Sequence, residues 1–151
     1  MADKDKSASA LSKFGNTCKD AMMSGISYMI PVVIGGALIM AIGNLMSGAN
    51  PVEGTLAFVL YTWGNALFGC LNYMLAMYTA YKIGSRPALA PGLLVGLFAA
   101  DAGGGFLGAV CGGILAGFLV KWLNAHIKLP GDFASAKGLV ILPFLSCLVM
   151  L

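Results

Sequence analysis

The chain has 151 residues, of which 59% are hydrophobic and only 10% are charged, and its formal net charge is +3. Because soluble domains carry about 25% charged residues, this composition excludes a soluble protein and predicts a membrane protein that is surrounded by lipid. The nine basic residues form no dense cluster interleaved with aromatic side chains, so nucleic acid is excluded as a partner.

Residues 1–21 form a polar segment of mixed charge, in which we recognise no cleavable signal peptide. In the second half of this segment and just after it, apolar residues recur at helical spacing, with lysines between them: Leu11, Phe14, Cys18 and Met22. This pattern predicts a cytoplasmic amphipathic helix that lies on the inner surface of the membrane before the first span.

Two apolar runs come next, at residues 22–46 and 55–81. Each run is long enough to cross a bilayer, since about 20 apolar residues cover about 30 Å of hydrocarbon. Within the first run, Pro31 and the glycine pair 35–36 predict a loosened or kinked helix, which membranes tolerate where neighbouring groups satisfy the freed backbone. The sequence therefore predicts two transmembrane spans joined by a short turn.

The octapeptide SRPALAPG at residues 85–92 separates the second span from the next apolar run. A proline pushes the preceding residue away from helical geometry, so Pro87 and Pro91 are expected to keep residues 86–90 out of the second helix. Two interpretations stay open. The break either lies beside a binding site, as broken helices do in transporters, or is an ordinary cytoplasmic turn with Arg86 as a topology anchor.

Residues 88–120 are predicted to form a hairpin, because the apolar run at 88–100 is too short to cross alone: 13 residues of helix reach about 20 Å. Asp101 lies at or near the tip of this hairpin. It is either a functional group inside the membrane or part of an exposed turn at the far surface, and the glycines after it favour the exposed turn. The spacing of Gly113 and Gly117 predicts close packing against another helix.

The basic residues orient the chain in the membrane. They fall in the N-terminal segment, near Lys82, and after residue 120, whereas the turn at 47–54 has none. The positive-inside rule then predicts a multi-pass inner-membrane protein with a cytoplasmic N-terminus. The final apolar run, 138–151, is an incomplete span. The predicted fold class is an all-α, polytopic transmembrane helical protein with broken helices and a short hairpin.

Few side chains are candidates for chemistry. Asn65 and Asn72 are seven residues apart, on nearly the same face of a helix, where their amides either bind hydroxyl groups of a substrate or hold two helices together; the second is favoured. Arg86, at the break, is the third candidate for substrate binding. The four cysteines show no metal-ligand spacing, so neither a metal nor another cofactor is predicted, and no catalytic residue is recognised.

Four segments of the chain resemble, in this order, the fructose-type enzyme IIC membrane subunits of the bacterial phosphoenolpyruvate-dependent sugar phosphotransferase system. They are SGISYMIPVVIGGALIMAI (24–42), GSRPALAPGLLVG (84–96), GGGFLGAVCGGILAGFLVKWLN (103–124) and IKLPGDFASAKGLVILPFLSCLVM (127–150). The family's GITEG-like motif, which its later half carries, has no counterpart here. Residues 22–151 therefore resemble the N-terminal part of such a membrane domain.

The resemblance implies a permease that carries a sugar, by family default fructose, inward and presents it to a cytoplasmic IIB component. IIB and IIA would be partners, and a homodimer is expected. Arg86, Pro87, Pro91 and Gly92 match the family's RPxxAPG segment. The phosphoryl-donor cysteine belongs to IIB, so none of the four cysteines here inherits that role. Enzymatic sugar phosphorylation would be a property of the complete complex.

A different class of function stays open beside this one. The chain is alternatively a non-catalytic membrane protein, either half of a secondary transporter or a degenerate truncated remnant that only packs with other subunits. Sugar phosphorylation by membranes that are supplied with the soluble phosphotransferase proteins would indicate the permease. Uptake of unmodified substrate under an ion gradient would indicate the secondary transporter, and no activity in either of these two assays would indicate the remnant.

Overall fold

The computed structural model describes residues 2–48, 52–126 and 141–150, and every regular element in these ranges is a helix. The elements are α1 (Ala2–Ser47), α2 (Leu56–Gly69), α3 (Leu71–Gly84), a 3₁₀ turn (Arg86–Ala88), α4 (Leu89–Asp101), α5 (Gly105–His126) and α6 (Leu142–Met150). The all-α prediction is confirmed for the described part of the chain. Among the described residues, two segments are long and apolar enough to cross a membrane: Ser9–Ser47 of α1 and the whole of α5.

Helix α1 is one continuous helix of 46 residues, about 69 Å long at 1.5 Å per residue. The sequence pattern separated a surface helix from the first span near residue 21, and the structure instead joins the two. Pro31 lies inside the helix, which runs through it without interruption. Near the N-terminal end, Phe14 stacks on Phe118 of α5 with ring centroids 4.8 Å apart.

The second predicted span, 55–81, is two helices in the structure. The backbone N–H of Cys70 is shared between the carbonyl oxygens of Ala66 and Leu67, both 3.2 Å away. The regular helical hydrogen bonds resume with Met74, whose N–H donates to Cys70 O at 3.0 Å. Such a shared bond tightens the last turn of a helix. The prediction of a single helix was wrong because this local tightening interrupts α2 and α3 at Cys70.

Helices α2 and α3 lie in succession along α1 and run antiparallel to it. The register is visible at three glycines of α1 that approach the opposite backbone closely. From the C-terminal to the N-terminal part of α1, these contacts are Gly43 with Ala57 and Tyr61, Gly36 with Gly64 and Leu67, and Gly25 with Leu75 and Thr79. As the residue number falls in α1, it rises in α2 and α3, so the pair acts as one long antiparallel hairpin.

Helix α3 is the centre of the fold, since α1, α4 and α5 all pack against it. Its buried face consists of Leu75, Ala76, Thr79, Ala80, Ile83 and Gly84. Helix α4 returns antiparallel to α3, and α5 runs parallel to α3 and antiparallel to α4. The small residues of α3 leave room for the glycines of α4 and α5 to reach its backbone.

The glycine contacts that fix this arrangement are specific. On α5, Gly113 lies against Ala76, and Gly117 lies against Ala80. The predicted close packing of these two glycines is confirmed. A second series on α5 faces α4 instead, with Gly108 against Ala99. Helix α6 packs on α4 and α5. Residues 138–140 and 151 of the predicted last span lie outside the described residues.

Candidate functional site

The connection between α3 and α4 is a compact backbone turn. Ser85 has a φ of 61°, in the region that favours glycine, and its N–H donates to Tyr81 O at 2.8 Å. Ala88 N–H then donates to Ser85 O at 3.0 Å, which closes the 3₁₀ turn. Residues 86–90 therefore do not continue α3: residues 86–88 form the 3₁₀ turn, and residues 89 and 90 already belong to α4.

Pro91 is compatible with a helix that begins at Leu89, close to the start of the predicted hairpin at residue 88. It is the third residue of α4, within the first turn, where a backbone N–H has no acceptor inside the helix. The proline therefore costs the helix no hydrogen bond, and α4 starts at Leu89. Pro91 is fully buried, and Gly92 beside it lies against Met77 and Ala80 of α3. The RPxxAPG segment thus docks the start of α4 onto the end of α3.

Arg86 is exposed on this turn, at one end of the helical bundle. The ends of α3 and α5 meet there, because Gly84 lies against Gly117 and Val120. The Phe14–Phe118 stack brings the N-terminal part of α1 to the same end. We call this end the basic end, and its charged side chains are exposed or half-buried: Lys13, Lys19, Asp20, Lys82, Arg86 and Lys121.

Asn65 and Asn72 lie on different helices, on either side of the break at Cys70. Asn65 is exposed on α2, and Asn72 is half-buried on α3, where its backbone passes Gly96 of α4. Arg86 lies 21 residues after Asn65, or about 30 Å along the α2–α3 line. Along this line, Asn72 lies about 10 Å from Asn65, and Arg86 lies about 21 Å beyond Asn72. The three side chains therefore do not form a single site.

Asp101 is the last residue of α4 and is exposed at the turn into α5. The turn closes when Gly103 N–H donates to Ala100 O at 3.2 Å and Gly104 N–H donates to Ala99 O at 2.8 Å. Gly103 and Gly105 both have positive φ, 72° and 50°, which a side chain would strain. The hairpin tip, Asp101–Gly104, thus exposes a carboxylate beside a stretch of irregular backbone.

Thr79 is a polar group that sequence reasoning missed. It is fully buried where α1, α3 and α5 meet, and its hydroxyl has no hydrogen-bond partner among the described residues. Its immediate neighbours include Gly25 and Gly113. The sequence signal that could have identified Thr79 is the set of small residues that recur along one face of α3: Ala76, Thr79, Ala80 and Gly84. Thr79 is the polar residue of this set. Asn44 Oδ1, on α1, is a second buried oxygen without a partner in the same ranges.

The described surface also has an open groove of about 370 Å³ between α1 and α2. Its lining is apolar: Ile39, Trp63, Ala66, Leu67 and Cys70. A groove with this lining suits a hydrocarbon chain better than a polyhydroxyl compound, because it is poor in hydrogen-bonding groups. Within residues 2–48, 52–126 and 141–150, no three His, Cys, Asp or Glu side chains come together in a way that could hold a metal ion.

Comparison with known proteins yields one family. The family described as "Phosphotransferase system, EIIC" matches residues 23–151. The chain is 28% identical, over 93% of its length and 44% of the relative's, to a "PTS system fructose-specific EIIC component" of Haloferax volcanii. It is 32% identical to a "PTS system fructose-specific EIIABC component" of Bacillus subtilis, over 93% of this chain and 23% of the relative.

A third relative has a different printed substrate. The chain is 37% identical, over 86% of its length and 21% of the relative's, to a "PTS system 2-O-alpha-mannosyl-D-glycerate-specific EIIABC component" of Escherichia coli. The chain thus spans less than half the length of each of these three relatives. No solved structure matches it significantly.

Proposed function

Since this chain belongs to the EIIC family of the phosphotransferase system, a family of membrane components, we propose that it forms part of a sugar permease whose substrate is phosphorylated as it enters the cell. The observation that carries the proposal is the family match over residues 23–151, which includes α3, α4, α5 and the part of α1 from residue 23 onward. The substrate is a fructose-type sugar, by analogy with the two fructose-specific relatives.

The proposed location is the inner membrane of a bacterium, crossed several times, with the N-terminus in the cytoplasm. The basic end supports this orientation, because it gathers lysines from three helices and Arg86 on one side of the bundle. Cytoplasmic segments of membrane proteins carry such an excess of Lys and Arg. In this arrangement, residues 1–21 form the cytoplasmic segment that precedes the membrane domain.

The proposed partners are the cytoplasmic IIB and IIA components, a second copy of the chain, and lipid. Two of the three relatives are EIIABC components, which supports the first two partners. Exposed apolar side chains along the outer part of α1 and on α2 support contacts with lipid or with a second copy. They include Ile34, Leu38, Ile42 and Trp63.

In this proposal, the chain positions the sugar while a partner supplies the phosphoryl group. Asn65 and Asn72 contact sugar hydroxyls within the membrane, and Arg86 binds the phosphorylated product at the cytoplasmic end. Phosphoryl transfer needs little covalent help from the protein that holds the acceptor, so positioning and charge stabilisation are the expected contributions. The exposure of Arg86 at the basic end supports its role toward an anion.

The test uses inverted membrane vesicles that contain the full chain, supplied with phosphoenolpyruvate, the soluble phosphotransferase proteins and radiolabelled fructose. We expect phosphorylated fructose to form only when the chain is present. Arg86→Ala should lower this rate at least tenfold and Arg86→Lys should restore part of it, whereas Lys121→Ala, at the same end, is the matched control. Uptake of unmodified sugar under an ion gradient would instead indicate a secondary transporter, and no activity would indicate a non-transporting membrane protein.

A further inference from the structure

We propose that the groove between α1 and α2 is a binding site for one acyl chain of a zwitterionic phospholipid, whose ammonium headgroup meets Glu53 at the outer end of α2. The bound lipid belongs to the leaflet opposite the basic end. This inference goes beyond the proposed function: it rests on the proposed membrane location and is independent of the identity of the sugar.

The groove follows one face of α2. Four of its lining residues recur at i, i+3, i+4 and i+7, so they form a single stripe over two turns of this helix: Trp63, Ala66, Leu67 and Cys70. Ile39 of α1 forms the opposite wall, between the two points where Gly36 and Gly43 bring the backbones of α1 and α2 together. Asn65 lies about 150° around α2 from the centre of the stripe, so the groove is separate from this candidate sugar-binding amide.

The inner end of the groove has free space beside it. A Cβ added to Gly35, which lies one turn before Ile39 on the same face of α1, would meet nothing within 4 Å. The same is true of Gly69, next to Cys70 on α2. A hydrocarbon chain that enters the groove at its outer end can therefore extend past Cys70 toward the middle of the membrane.

The groove lies within the hydrocarbon depth. With Lys82 at the inner edge of the hydrocarbon, Cys70 lies about 18 Å away and Trp63 about 28 Å away along the α2–α3 line, in a core about 30 Å thick. Trp63 is 69% exposed and is thus close to the outer edge of the core, where indole rings are favoured. The groove therefore occupies the half of the membrane opposite the basic end.

The groove is too narrow for a helix of a second copy. From Trp63 to Cys70 it extends about 10 Å, so its volume of about 370 Å³ corresponds to a mean cross-section of about 35 Å². A helix with its side chains is about 10–12 Å across, which corresponds to about 80–110 Å². A single hydrocarbon chain is much thinner than a helix and needs no hydrogen bonds, so it fits both the shape and the apolar lining of the groove.

The headgroup end of the site determines which lipid binds. A bilayer is as apolar as the groove, so an acyl chain gains little hydrophobic free energy when it leaves the bilayer for the groove. Selectivity therefore comes from the polar groups near the outer end. Trp63 supplies an indole N–H donor. The turn at 47–54 supplies the carboxylate of Glu53 and contains no Lys or Arg.

The cap of α2 holds Glu53 at the start of this helix. Thr55 Oγ1 donates to Val52 O at 2.6 Å and accepts from Phe58 N–H at 3.3 Å, which closes the turn that contains Glu53. The start of α2 lies about 10 Å beyond Trp63, at about the depth of the headgroups. The Glu53 carboxylate attracts an ammonium headgroup and repels an anionic one, whereas the basic end has the opposite preference.

The test is native mass spectrometry of the full chain, released from detergent that contains equal amounts of phosphatidylethanolamine and phosphatidylglycerol with the same acyl chains. We expect the wild-type chain to retain at least threefold more phosphatidylethanolamine than phosphatidylglycerol. Ala66→Phe fills the groove and should lower this retention at least tenfold. Ala41→Phe is the matched control, because it makes the same change at an exposed residue of α1 that does not line the groove. Glu53→Gln should still retain lipid but lose the preference.

Equal retention of phosphatidylethanolamine by Ala66→Phe and Ala41→Phe would overturn the proposal, and so would a wild-type chain without a preference between the two lipids. If Ala66→Phe instead lowered the number of chains per complex and left lipid retention unchanged, the groove would be a contact between copies and the proposal would be wrong. An unchanged preference in Glu53→Gln would overturn the assignment of the headgroup to this carboxylate.

Trp63 allows a second measurement that needs no change in the groove. In Trp122→Phe, Trp63 is the remaining tryptophan of the chain. Phosphatidylethanolamine with brominated acyl chains should quench its fluorescence at a mole fraction at least threefold lower than brominated phosphatidylglycerol does. Identical quenching by the two lipids would mean that Trp63 meets only bulk lipid, against the proposal. Both measurements are made without transport, so a failure of sugar phosphorylation is scored separately.

Discussion

At the residue scale, Thr79 is a buried polar residue that lowers the stability of the fold where α1, α3 and α5 meet. Its hydroxyl is fully buried and unpaired between α1, α3 and α5 in the described part of the chain. A buried polar group without a hydrogen bond costs about 1–3 kcal/mol of stability. The described helices do not offset that cost, so the hydroxyl itself is dispensable for holding this part of the fold together.

Thr79→Val is therefore expected to leave the protein as stable as before or to stabilise it by up to about 1 kcal/mol, because the unpaired hydroxyl is removed. Thr62→Val is the matched control, since the Thr62 hydroxyl donates to Phe58 O at 2.8 Å on the surface and should contribute little. The measurement is the thermal unfolding midpoint in detergent. A marked drop for Thr79→Val alone would mean that the hydroxyl has a partner in the native membrane.

Ser85 offers a second prediction at this scale. Its φ of 61° is costly for a residue with a Cβ and free for glycine. Ser85→Gly should raise the unfolding midpoint, by an amount that corresponds to about 1 kcal/mol, whereas Ser85→Ala keeps the Cβ and should bring no gain. If both variants unfold at the wild-type temperature, the turn is not strained.

At the element scale, α1 and α2 pack closely because glycines on both helices let their backbones approach each other. A Cβ added to Gly64 would lie 2.7 Å from Met40 Cβ and 2.8 Å from Gly36 O, whereas one added to Gly69 would meet nothing within 4 Å. Both glycines belong to α2. The two positions therefore separate the effect of helix packing from the effect of helix propensity.

Gly64→Ala is expected to loosen α2 from α1, at a cost of about 1–3 kcal/mol, because the helices must move apart to admit the methyl group. The measurement is amide hydrogen exchange in detergent, which should accelerate across residues 56–69 and stay unchanged across 105–126. Gly69→Ala should leave both regions unchanged. Equal exchange in the two variants would show that Gly64 is not a contact point.

The elements also show what a single sequence can predict. The apolar runs predicted an all-α chain and the sequence motif of Gly113 and Gly117 predicted close packing, because both depend on local composition. The break at Cys70 was missed, since residues 55–81 form an almost uninterrupted apolar run and the break arises from one shared backbone hydrogen bond. The register of α4 on α3 was also missed, because it depends on which glycine of α4 meets which residue of α3, a relation between helices that no local pattern contains.

At the scale of the whole molecule, the gathering of positive charge at one end should determine orientation. A periplasm-active phosphatase fused after Gly48 is expected to be active, and the same enzyme fused after Lys82 inactive, because the proposed orientation keeps the basic end in the cytoplasm. Replacing Lys82 and Arg86 by Gln and adding three lysines to the turn after Gly48 should reduce this asymmetry. A fusion after Gly48 that is inactive in the otherwise unaltered chain would contradict the orientation.

The position of α3 at the centre of the fold has a consequence for how the protein is made. Helix α1 precedes α3 in the chain, α4 and α5 follow it, and α1 packs against both α2 and α3. As translation proceeds, the α1–α2–α3 hairpin can assemble while α4 is still inside the ribosome, and each later helix then meets a surface that already exists. In this order of assembly, the glycine-lined face of each helix is covered soon after the helix is made, which limits its pairing with wrong helices during insertion.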